Sequence, residues 1–106
     1  MTKTISEILS AAADLIEPEG CWTQRAYCRN ADGKALGWGS DEAVCWCITG
    51  ATGTVDEEGC GTDADRFLRR LLKSGVSLWN DAPERTQAEV VATLREAAAK
   101  AKEIGL

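Results

Sequence analysis

Two capping boxes set the outer limits of this fold. Thr4-x-x-Glu7 and Thr86-x-x-Glu89 each place a hydroxyl three residues before a glutamate, at the head of an apolar repeat. Such a pair satisfies two of the orphan N–H groups that a helix start leaves open. After the first, Ile5, Ile8, Leu9, Ala12, Leu15 and Ile16 recur at helical spacing until Pro18 and Gly20, which predicts a helix over 4–17. After the second, Val90, Val91, Leu94, Ala97, Ala98, Ala101 and Ile104 form a stripe that predicts a helix from about 86 to 104.

The chain between them is mixed. Trp22 to Cys28 holds strand-forming residues, Asn30-Ala-Asp-Gly33 is a turn signal, and Lys34 to Trp38 is a short return, so a β-hairpin is predicted over 21–38. Ser40, followed by Asp41 and Glu42, reads as the cap of a helix over 41–52 with Ala43, Val44, Cys47, Ile48 and Ala51 on one face. Residues 53–61 form a Gly-rich acidic loop. Thr62-x-x-Asp65 opens a third helix with Ala64, Phe67, Leu68, Leu71 and Leu72 turned inward and Gly75 as its C-terminal cap. Val76 to Trp79 is expected to be a connector that buries Leu78 and Trp79. The fold class is therefore α+β: about four helices with one β-hairpin packed against them, in a single globular domain, 1–106.

Composition narrows the function classes. At 106 residues the chain suffices for one core without staples. A net charge of −5 disfavours nucleic acid as a partner. No apolar run approaches a membrane span, and the N-terminus has no continuous apolar signal region, so a cytoplasmic location is expected. Five cysteines, at 21, 28, 45, 47 and 60, are an odd number and point to free, mostly buried thiols. Structural zinc is the sharper alternative, but there is no histidine and no Cys-x-x-Cys, so no metal site is assigned. The missing histidine also removes the usual general base near neutral pH, and the glycine loop lacks the Gly-Lys-Ser/Thr ending of a phosphate loop. No catalytic residue is assigned and no cofactor is expected.

Three motifs stand apart from this background: Trp22-Thr23-Gln24, Cys45-Trp46-Cys47, and Trp79-Asn80-Asp81 followed by Arg85-Thr86 and Glu89-Val90. On these motifs the chain resembles an uncharacterised group of short bacterial and phage proteins of unknown function, over residues from about 5 to 101. The resemblance implies a compact domain and a bacterial or phage source. It implies no reaction and carries over no catalytic residue.

The candidate binding residues fall into three sets. Trp79, Asn80, Asp81 and Arg85 form either a capped turn or a polar recognition site beside an indole. Trp38, flanked by glycines and near Tyr27, is the tryptophan most expected to be exposed. Arg66, Arg69, Arg70 and Lys73 share one helix face, which is either simply solvated or a docking face for an acidic partner; the chain's own Asp56-Glu57-Glu58 could also fold back onto it. The leading expectation is a binding or regulatory protein acting through protein–protein contacts. The alternative is a small-ligand-binding protein or minor enzyme whose pocket is lined by Trp22, Gln24, Trp46, Trp79, Asn80 and Asp81.

Overall fold

A computed structural model describes residues 3–37, 39–59 and 62–106. Both capping boxes form. Thr4 opens α1 (Ile5–Ile16) and Thr86 opens α5 (Gln87–Glu103), each hydroxyl accepting from the N3 amide while the N3 glutamate accepts from the cap amide. The two helices pack along each other. Ile8, Leu9, Ala12, Ala13 and Ile16 meet Val90, Leu94, Ala97, Ala98 and Ala101 in one apolar cluster. The alanines on both stripes let the backbones approach closely. Gln87 reinforces the pair, its amide donating to the carbonyls of Ile16 at 2.7 Å and Pro18 at 2.8 Å, where α1 runs out of internal partners. Arg95 adds exposed ion pairs to Asp14 and Glu17, both at 2.9 Å.

The expected hairpin is present but short: β1 (Cys28–Arg29) pairs antiparallel with β2 (Ala35–Leu36) across the Asn30–Gly33 turn. A third strand, β3 (Cys45–Trp46), lies on the other side of β1, giving the order β2-β1-β3. This corrects the helix expected over 41–52. The backbone of 45–47 is hydrogen-bonded on two sides, Trp46 exchanging bonds with Cys21 and Thr23 while the Cys47 amide donates to the Tyr27 carbonyl. An extended segment held this way cannot also form i to i−4 bonds. Helix α2 starts only at Ile48 and runs to Val55, with Cys47 as its cap. Ser40 instead bonds the Glu42 amide at 3.3 Å within a turn. Likewise, most of 22–27 is irregular rather than strand, with a single parallel bridge between Trp22 and Trp46.

Helix α3 (Asp63–Leu72) buries Ala64 and Leu68 of the predicted apolar face, but Leu71, expected to turn inward, is 38% exposed near the helix end. It ends on Lys73 in the left-handed region, φ 55°, and not on Gly75. Gly75 opens a further short helix, α4 (Val76–Asn80), where a connector was expected. The molecule thus has five helices and a three-stranded sheet among the described residues, an α+β fold. The expectations for Trp38 and Cys60 lie outside the described residues.

Candidate functional site

Two of the three sequence motifs meet at Asn80, and the third ends one residue before Ile48, whose amide also reaches it. The Asn80 side chain is fully buried and its amide makes four bonds. Oδ1 accepts from the Trp22 indole at 2.8 Å and from the Ile48 amide at 3.1 Å. Nδ2 donates to the Thr23 carbonyl at 3.1 Å and to Asp81 Oδ1 at 3.0 Å. Gln24 reaches over the same turn, donating to the carbonyls of Asn80 and Ala82, both at 2.9 Å. The Arg25 amide donates to Asp81 Oδ1 at 2.9 Å. A buried amide with both ends occupied rigidifies its surroundings and leaves nothing for a ligand.

Trp79 and Arg85 belong to the same construction. The guanidinium lies 3.8 Å from the Trp79 ring centroid, its Nε donates to the Trp79 carbonyl at 2.9 Å, and it pairs with Glu89 at 3.2 Å. The anticipated pocket residues Trp22, Gln24, Trp46, Trp79, Asn80 and Asp81 therefore do meet, but around an amide the protein itself satisfies; Asn80 is buried and the other five are half-buried. Of the six, Asp81 lines a groove. Asn80 acts as neither a helix cap nor an exposed recognition group: it ties the 22–24 segment to the start of α2. Arg29, which no motif reading singled out, performs a similar task, bonding Thr23 Oγ1 at 2.9 Å, the Gln24 carbonyl at 3.0 Å and the Gly33 carbonyl at 3.1 Å.

Two surface features lie on either side of α4. The first is a groove of about 430 Å³ between α3 and α4, with Arg66 and Arg69 at its edge and Val76 and Leu78 along its wall. Leu78, expected to be buried, is 77% exposed. Arg70 is exposed on the same helix as Arg66 and Arg69, and Lys73, expected on that face, is exposed at the left-handed cap beyond it. Arg66 pairs locally with Asp63 at 2.8 Å, while Arg69, Arg70 and Lys73 form no ion pair among the described residues. The fold-back of Asp56-Glu57-Glu58 onto this stripe is not made. Asp56 instead accepts from the Glu58 amide at 2.9 Å and the Thr62 hydroxyl at 2.6 Å.

The second feature is a groove of about 550 Å³ bounded by Arg25, Tyr27, Leu36, Cys47, Ser77 and Asp81. Cys47 is buried at its base, and its sulfur accepts from the Gly50 amide at 3.3 Å as the cap of α2. Burial pushes this thiol above the ordinary cysteine range, and the nearby Asp81 carboxylate pushes in the same direction, against the α2 amides that favour the thiolate. Cys47 is accordingly a neutral thiol near pH 7 and not an activated nucleophile. Cys28 is raised chiefly by burial as well. Cys21, Cys28, Cys45 and Cys47 are free, and among the described residues no three cysteine, aspartate or glutamate side chains converge as a metal site would require. No helix of the described residues is long and apolar enough to cross a membrane.

Comparison with known proteins agrees with a chain of this kind. It matches the model of a family of unknown function, DUF6197, over residues 1–100, and it belongs to that family. No curated protein and no solved structure matches it.

Proposed function

We propose that this family member is a cytosolic binding protein of a bacterium or phage, which docks an acidic, amphipathic segment of a partner protein between α3 and α4. One observation carries the reading: Leu78 stands 77% exposed on a helix whose neighbours Val76 and Asn80 are buried. Burying a leucine side chain contributes about 1.5–3 kcal/mol, so such a residue is a natural contact centre. Arg66 and Arg69 border the same groove. Arg70 on the same helix and Lys73 at its cap add exposed cations on a chain whose net charge is −5. A partner with carboxylates around an apolar side chain complements both features, and charge of this kind sets orientation and association rate.

The test is site-specific photo-crosslinking in a lysate of the native host. A crosslinker at position 78 is expected to capture a protein that the same group at the exposed Ala99 does not. The captured region should be acidic, and capture should fall with added salt. Arg69→Glu combined with Arg70→Glu is expected to abolish it with an unchanged melting temperature. Identical capture from positions 78 and 99, or capture that survives the double reversal, returns these arginines to a solvated face.

A further inference from the structure

We propose that the groove beside β2 and α4 is a second site, which binds a free zwitterionic amino acid with an apolar side chain. Arg25 holds the carboxylate and Asp81 holds the ammonium.

The placement of charge is the starting point. Arg25 and Asp81 line the same groove, yet neither forms an ion pair with the other or with any described residue. Asp81 is not free to turn away. Its Oδ1 is fixed by the Arg25 amide at 2.9 Å and the buried Asn80 amide at 3.0 Å, which leaves Oδ2 without a donor among the described residues. Arg25 sits at φ 63°, a left-handed conformation that arginine seldom adopts, and the bond from its amide to Asp81 holds it there. The buried Asn80 cluster thus fixes the Asp81 carboxylate and the Arg25 backbone at a single opening.

The rest of the lining decides what else the ligand carries. Ala26, Ala35 and Leu36 are apolar, and Tyr27 offers a ring that is 43% exposed. The Cys47 thiol at the base, kept neutral by its burial, adds no third charge. A simple anion would face Asp81 and a simple cation would face Arg25; a zwitterion satisfies both. A volume of about 550 Å³ suits a single small molecule.

Titration calorimetry and amide NMR on the intact chain, with leucine, N-acetyl-leucine and leucinamide as probes, test this assignment. Leucine is expected to bind and to shift the amides of residues 25–27 and 77–81. Each blocked analogue, lacking one charge, should bind at least about tenfold more weakly. Asp81→Asn keeps the Oδ1 acceptor and removes the charge. Arg25→Asn suits the left-handed backbone. Both variants are expected to retain the melting temperature and to weaken leucine by about tenfold or more. The assignment is overturned if leucine, methionine and phenylalanine all leave these amides unmoved at millimolar concentration. It is also overturned if either blocked analogue binds as well as leucine, or if folded Asp81→Asn binds leucine normally.

Discussion

Asn80 and Leu78 share one turn of α4, yet Asn80 is sealed from solvent while Leu78 is 77% exposed. The polar residue holds the interior together and the apolar one faces water. Hydrophobicity alone would assign them the other way. The difference lies in what the backbone needs nearby. The Ile48 amide opens α2 and the Thr23 carbonyl lies in an irregular segment, so neither has a regular-structure partner, and Asn80 serves both. No such demand reaches Leu78, which is left for something outside the chain.

The sharpest way to break this contrast is Asn80→Ala. It strands the Trp22 indole, the Ile48 amide and the Thr23 carbonyl at once, and is expected to cost about 3–5 kcal/mol in urea unfolding, since each unsatisfied buried group costs about 1–3 kcal/mol. A loss below about 1 kcal/mol would show that water replaces the side chain and that the cluster is not an organising element.

Gly50→Ala probes the same seam from the α2 side. A Cβ there would collide with the Tyr27 carbonyl oxygen, which already accepts from Cys47. Because backbone and not a flexible side chain must move, the expected cost is about 2–3 kcal/mol. A neutral Gly50→Ala would mean that the 25–27 segment shifts freely, and the groove geometry would have to be redrawn.

A smaller effect is expected in alkali. Burial raises the Cys28 and Cys47 thiols above the range in which they ionise in the unfolded chain. Between those two values the folded protein holds more protons, so their contribution is complete below the unfolded value and is lost as pH rises through the folded one. Thermal melts should therefore hold level up to the ordinary cysteine value of about 8.5 and decline as the pH rises beyond it. Cys47→Ser, which still caps α2 and does not ionise there, should flatten the decline. An unchanged slope would detach the thiol from the stability of this region.

The smallest effect sharpens the other half of the comparison. Leu78→Ser is expected to change stability by less than about 0.5 kcal/mol, as for an ordinary surface site. A larger loss, read from the same urea curves, would mean that Leu78 packs within the fold and is not held out for a partner.

The two capping boxes and their stripes were legible because their signal is local: a hydroxyl, a glutamate and a repeat, all within a few turns of chain. The Asn30–Gly33 turn was legible for the same reason. Residues 41–52 misled because Ala43, Val44, Cys47, Ile48 and Ala51 happen to fall at helical spacing, while the bonds that make Cys45–Trp46 a strand come from residues 21–29. Gly75 misled in a similar way, because Lys73 adopts the left-handed turn two residues earlier. The Trp-Asn-Asp motif was visible as a feature, but no pattern within it says that its amide would be matched by Trp22 and Ile48. Arg25 in its left-handed conformation leaves no mark in composition at all.

The clasp between α1 and α5 has a consequence for how the protein is made. Ser6 bonds the Ala98 carbonyl across 92 residues, and Arg95 reaches Asp14 across 81. During synthesis, α1 is thus made well before the helix it packs on most extensively. The stripe of Ile8, Leu9 and Ile16 has only α2 and α3 to cover it until α5 has emerged, so the core closes late. A chain cut short within α5 would leave much of that apolar stripe open to water.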